Sequence, residues 1–453
     1  MELFNEKVNM ITENINRLRQ DVAEIHQEFP NLKDNTNSET QVQTGDTPRS
    51  PSKATMDELY FRMDEIDEEI LKFAALVDFT HQLPQFAALV IASRMLKVEL
   101  ELILFAIWTN DPERLQQDFL LSPNIPRFEM PKVLVIGATG YLGRQVCDAL
   151  VCSGQHRVYG IARSEAKAKS LAVAEVTPVI CPDPINKPAT YLEAIRDFNI
   201  DIVIDVSGAN QDSIHLLENV KAVGQERLEK AKSAGLTHMP KLGFIYCSGT
   251  WVHGSSNKPV NDLDIVGSGA LTQPAPLVAW RVNHENTVLA ASKVLDVAVL
   301  RPALVYGCES TIWTPFFLPL LQACRNGSPD TLQIPLSVES RPGLVHVSDV
   351  ATGFKQAVER LSLINGSSIY PVFDLVTSQE SMAEIFSRLS SCWGFKGRCE
   401  LVGPSDDSFS EAMGASLRGS SSRAKQLLAW KPSRLSGFVA DMDIYADAFA
   451  AYQ

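Results

Sequence analysis

Residues 132–143 read KVLVIGATGYLG, and the order of the parts in this stretch decides the fold. After Lys132, four apolar, β-favouring residues run into Gly137, glycines recur at 140 and 143, and a helical pattern continues through Leu150. A strand that feeds a glycine turn and then a helix is what a phosphate-binding loop requires. Glycine permits the tight turn and lets the backbone approach a pyrophosphate, whose charge rests on the helix N-terminus. Gly137, Thr139, Gly140, Tyr141, Leu142 and Gly143 are therefore expected to cradle a dinucleotide.

The rhythm continues downstream. Apolar strands are expected at 157–162, 176–180, 201–206, 243–247 and 296–300, with helical patterns between them. That alternation predicts an α/β fold with a doubly wound parallel sheet of the Rossmann type. The second strand ends in Arg163-Ser164, where a site that prefers NAD carries an acid for the ribose hydroxyls. A cation there suits a 2′-phosphate, so NADP is the expected cofactor and NAD the lesser alternative; an exposed loop arginine is the competing reading. Asp183 is placed to meet the adenine, and Ser207-Gly208 are small enough to let the cofactor cross the sheet edge.

Further motifs follow: SGTWVHG at 248–254, RPALVYG at 301–307, RPGLVHVSDVA at 341–351 and AKQLLAWKP at 424–432. With GATGYLG, they resemble the signatures of an extended or atypical short-chain dehydrogenase/reductase of the NAD-dependent epimerase/dehydratase type. The resemblance covers essentially all of 131–453. It implies a Rossmann domain with a smaller substrate lobe, assigned here to about 255–276 and 308–453. It also implies that His346 and Asp349 fix the lobe structurally.

In that family a tyrosine, a lysine four residues later and a Ser or Thr carry the chemistry. None of the nine tyrosines has a lysine at that spacing. Matching the motifs puts Gly249 at the hydroxyl position, Leu277 at the tyrosine position and Arg281 at the lysine position. Arg281 is expected to hold the nicotinamide ribose, but it stays charged and exchanges no proton. Ser248 or Thr250 is the expected substitute hydroxyl. His253, Tyr246 and His284 are candidates for proton transfer, with His253 expected to face the cleft and the other two to be core. Trp251 and Trp280 are expected to shape the pocket.

Ile312, Trp313, Phe316, Phe317, Leu318, Leu320 and Leu321 suggest an apolar substrate side, and Arg325 and Arg341 are the obvious cations of that insert. The leading expectation is an NADP-dependent oxidoreductase or epimerase-like enzyme acting on a small apolar carbonyl or hydroxyl compound. A non-catalytic NADP(H)-binding regulator resembling the NmrA-like sensors is the alternative, and an assembly protein using the N-terminal helices a third.

The first 130 residues are a different object. They carry a net charge of −11, against −2 for the remainder, and none of the eight cysteines. Val8, Ile11, Ile15, Leu18, Val22, Ile25 and Phe29 repeat at 3-4 spacing, an a/d seam that predicts a coiled-coil helix over 1–29. Residues 30–54 read as a disordered linker and 55–130 as a helical region that opens with Thr55 and Glu58 in a capping box. An intrachain hairpin, a homo-oligomer or a protein partner would each cover such a seam. The overall charge of −13 argues against nucleic acid and anionic membranes as partners, and no Cys/His spacing suggests a metal. No signal peptide is visible, and the apolar runs at 79–93 and 311–324 are too short for a bilayer, so the expected location is cytoplasmic or nuclear.

Overall fold

The computed structural model describes residues 9–18, 20, 21, 62, 66 and 130–453, apart from 237, 238, 328, 329 and 368. The chain divides into two units, 1–128 and 129–453. In the first, residues 9–18 are helical, and the seam positions Ile11, Ile15 and Leu18 are buried. Ile66 is buried as well, and Arg62 bonds to Asp21 at 2.6 Å. The expected linker at 30–54 and nearly all of the helical region at 55–130 lie outside the described residues.

The second unit is built on a seven-stranded parallel sheet in the order β11-β7-β5-β4-β1-β2-β3. Its strands are β1 (Lys132–Ile136), β2 (Arg157–Ala162), β3 (Thr177–Ile180), β4 (Ile202–Asp205), β5 (Leu242–Cys247), β7 (Leu295–Pro302) and β11 (Val372–Leu375). Helices α1 (Tyr141–Cys152), α2 (Glu165–Val173), α3 (Ala189–Asp197), α4 (Ser213–Ser233) and α5 (Trp280–Ala290) link them, and α6 (Thr314–Asn326) and α7 (Val347–Gly366) follow. The apolar runs of these strands are explained by burial on both faces. Val133 and Val135 pack with Val146 and Leu150 of α1 and with Phe354 of α7, whereas Leu134 and Ile136 pack with Leu216 and Val220 of α4. The strand order reverses between β1 and β4, both of which pair in parallel register. A crevice opens at the C-terminal ends of the strands at such a point.

The smaller lobe carries three short sheets: Ser378–Gln379 (β12), Gly343–His346 (β10) and Leu304–Tyr306 (β8) form one, Arg398–Leu401 (β13) and Thr331–Ile334 (β9) the second, and Leu417–Ser420 (β14) and Ser256–Asn261 (β6) the third. Its core stacks Trp313 and Phe317 of the α6 region on Phe386, Phe438 and Phe449. This corrects one expectation: Trp313, Phe316, Phe317, Leu320 and Leu321 face inward and hold the lobe together, so they do not line a substrate surface. A second correction concerns the lobe boundary. Within 308–453, α7 packs on α1 and β11 pairs with β7, so this stretch completes the main sheet. Among the described residues, no helix is long and apolar enough to cross a membrane.

Candidate functional site

The glycine loop has the shape its sequence demands. Gly137 adopts φ +91°, and a Cβ there would come within 2.6 Å of the Ser207 Cα; a Cβ at Gly143 would collide with the Gly137 carbonyl oxygen. Gly140 caps α1 with no side-chain bond, and the first turn carries no acid. The leading backbone N–H groups of α1 are therefore left for an anion, as a dinucleotide pyrophosphate requires. Thr139, Tyr141 and Leu142 are half-buried around this turn.

Two cavities that share Ala209 and Asp212 extend from the sheet edge. The first, of about 590 Å³, is lined by Arg163, Asp183, Asp212, His215 and Glu218 among others. Asp183 accepts from the Asn186 backbone N–H at 3.0 Å and from its amide, and these bonds hold the carboxyl below its usual range. The Ser164 hydroxyl caps α2 by accepting from the Lys167 N–H at 3.4 Å. Ser207 is anchored by donating its hydroxyl to Asp205 Oδ1 at 2.6 Å, beside the exposed Gly208.

The second cavity, of about 680 Å³, is lined by Asn210, Gln211, Asp212, Trp251, Leu277, Trp280 and Arg281. Arg281 stacks on Trp280 at 5.5 Å. A Cβ at Gly249 would lie 2.9 Å from Arg281 Nη1, so the guanidinium stands directly over this glycine. Leu277 lines the same cavity without any titratable group.

His253 was expected in this cleft and lies elsewhere. Its Nε2 bonds to Asp374 Oδ2 at 2.8 Å, with both side chains at most 2% exposed. Asp374 also faces Arg301, which is bonded to Glu285, and its backbone N–H donates to Asp262, which is paired with Arg423 at 3.0 Å. The turn Thr250–His253 thus delivers its histidine to a buried ionic network, where a charged acceptor at the end of β11 attracts it. Thr250 and Ser248 are buried and line neither cavity, and the Ser248 Oγ has no hydrogen-bonding partner. Tyr246 is core, its phenol pushed well above its usual range by burial. His284 packs edge-on against Tyr246 at 4.5 Å, and burial lowers its pKa to about 4, so it is neutral at neutral pH. Among the residues lining the second cavity, Asp212 and Arg281 are the titratable ones.

The lobe contributes a clamp that the sequence did not announce. Tyr141 donates to the Gly307 carbonyl at 2.6 Å, and Arg144 pairs with Glu309. Cys308 and Ser310 both take positive φ there, a conformation that strains non-glycine residues. His346 presses on Gly307 and bonds to Ser348, while the Asp349 carboxylate accepts from the backbone N–H groups of Ser433 and Arg434. Both act structurally, as their motif implied. Asp205 was also overlooked, although an acid closing the apolar strand DIVID was a visible anomaly.

A profile described as the NAD dependent epimerase/dehydratase family matches residues 133–372. Among solved structures, UDP-glucuronic acid 4-epimerase from Bacillus cereus aligns at TM-score 0.52 and 20% identity, over 71% of this chain and 100% of that one. dTDP-glucose 4,6-dehydratase from Bacillus anthracis aligns at 0.53 and 15%, over 71% and 97%. A putative epimerase from Burkholderia cenocepacia aligns at 0.51 and 15%, over 71% and 100%. At these identities the likeness extends to the fold. No curated protein matches the sequence.

Proposed function

We propose, from the premise that the chain belongs to the NAD dependent epimerase/dehydratase family, that it is a nicotinamide-dependent oxidoreductase in which Arg281 replaces the tyrosine–lysine pair. The observation that carries this reading is the Arg281 guanidinium standing over Gly249 at the mouth of an indole-walled cavity. A bound nicotinamide would supply a hydride to a carbonyl carbon or accept one from the corresponding carbinol carbon. Arg281 holds the oxygen of that carbonyl and stabilises the negative charge it develops, which a fixed cation in a partly dry site does well. It cannot take or return a proton, so the proton is exchanged with water. Trp251, Trp280 and Leu277 hold the apolar body of a small substrate. An epimerase cycle and an alcohol oxidation both need a base at the substrate hydroxyl, and Leu277 at that position favours carbonyl reduction, with the proton drawn from water.

Arg163 beside Asp183 supports NADP over NAD. Calorimetric titration of the full chain with NADPH and NADH, alongside Arg163→Asp, tests this. Micromolar NADPH binding that the variant loses is the expected result, and failure of both nucleotides to bind overturns the whole reading. Among the described residues lining the second cavity there is no tyrosine, lysine or histidine, and Asp212 is the carboxylate there; this favours a second reading, an NADP(H)-occupied regulator that signals through a protein partner held by the N-terminal region. Hydride transfer to an aromatic aldehyde such as 4-nitrobenzaldehyde separates the two.

A further inference from the structure

On one face of α1, Tyr141, Arg144 and Gln145 hold a single loop of the lobe, residues 307–310. The Tyr141 hydroxyl donates to the Gly307 carbonyl at 2.6 Å, Arg144 Nη2 pairs with Glu309 Oε1, and the Gln145 amide reaches Cys308 Sγ at 3.9 Å. The loop is fixed from within as well. The Gly307 N–H donates to Ser310 Oγ at 2.9 Å, and the Ser310 N–H returns to the Gly307 carbonyl at 3.1 Å. Gly307, Cys308 and Ser310 all take positive φ, so the backbone on both sides of Glu309 sits in a conformation that its surroundings must enforce. A carboxylate is thereby presented to the first turns of α1, where the backbone N–H groups stand open for an anion.

The two partners are unequal. The Glu309 side chain is 15% exposed and its Oε2 is buried without a hydrogen-bonding partner, whereas the Arg144 side chain is 48% exposed. Their bond runs through one nitrogen and one oxygen. Arg301, by contrast, donates to both carboxylate oxygens of Glu285 in a buried pair. A half-exposed pair with a single bond is weakly held, and a guanidinium binds more tightly to an oxyanion that accepts two of its N–H groups at once. The Arg144 N–H bonds to the Gly140 carbonyl at 3.0 Å, which sets this residue one turn into α1. Helical side chains lean toward the N-terminus of their own helix, and an arginine is long enough to span that turn.

We propose that Arg144 is a further binding residue for the dinucleotide: its guanidinium passes from Glu309 to a pyrophosphate oxygen at the open end of α1, and Glu309 is the competitor that limits how tightly the cofactor is held. This rests on the dinucleotide reading of the glycine loop given above. The loop at 307–310 holds the competing carboxylate in place, while the exposed arginine is the partner free to move.

Calorimetric titration of NADPH into the full chain tests the proposal, with Arg144→Met, Glu309→Gln and the double variant alongside the wild type. Arg144→Met is expected to weaken NADPH binding about tenfold and Glu309→Gln to tighten it about tenfold, the gain vanishing once residue 144 is methionine. Unchanged affinity in Arg144→Met, no gain in Glu309→Gln, or the same gain in both backgrounds would overturn the proposal. If the wild type binds no nucleotide, the cofactor reading fails on its own, and inorganic pyrophosphate at about 10 mM decides the matter through the thermal unfolding midpoint. A rise that Glu309→Gln enlarges and Arg144→Met removes supports the exchange. No rise, or equal rises in all four chains, overturns it.

Discussion

At the glycine loop the contacts belong to the backbone: Gly137 against Ser207, Gly143 against Gly137, and the open N-terminus of α1. At the Arg281 end they belong to side chains from separate segments, with Trp251 from the turn after β5, Leu277, Trp280 and Arg281 from the start of α5, and Asn210 to Asp212 from the turn after β4. Backbone geometry is fixed by a few glycines at set spacing. Side-chain chemistry is fixed by which neighbour each group finds, and neighbours come from anywhere in the chain. One end therefore rests on backbone geometry and the other on side chains gathered from separate segments.

The largest expected effect tests whether His253 belongs to the Arg281 end at all. His253→Ala leaves Asp374 without its nearest partner in a dry environment, and unfolding in urea is expected to register a loss of about 3–5 kcal/mol. A stable variant with abolished turnover would instead return His253 to the chemistry. Next, Gly143→Ala drives a methyl into the Gly137 carbonyl, and calorimetry is expected to find NADPH affinity reduced by more than about 100-fold. Arg281→Met attacks the other end alone: aldehyde reduction is expected to fall roughly 100-fold while NADPH affinity changes far less. Equal damage to binding and turnover would erase the distinction between the ends.

The smallest effect is in pH. His284 and His346 both have pKa values lowered to about 4 by burial. The unfolded chain therefore binds protons that the folded chain refuses, in the window between about 4 and the usual histidine value near 6.5. Stability should be level above that window and fall by a few kcal/mol at most as pH drops through it, seen as a shift in the urea midpoint. His284→Gln should blunt the fall without changing the pH dependence of turnover above pH 6.

What the sequence disclosed follows the same division. The Rossmann sheet was legible because its strands are apolar on both faces, and the family because its motifs recur in order. At the start of α5 the motifs brought Gly249 and Arg281 into one reading, and the two lie side by side. The fate of His253 was not, because its acceptor, Asp374, lies on a strand that had been assigned to the lobe. The aromatic run at 312–321 misled for a related reason: apolar residues look alike whether they face a ligand or Phe386, Phe438 and Phe449.

The pairing of His253 with Asp374 joins positions 121 residues apart. During synthesis at roughly 5–20 residues per second, the histidine would wait roughly 6–24 s for its acceptor to be made. Arg423 emerges later still and completes the pairing of Asp262. The nascent domain must therefore hold several unmatched charges beside a growing apolar sheet until its last stretch appears. Chains cut short before that stretch are expected to remain clients of chaperones, which would make ribosome-bound folding of this domain a late, single event.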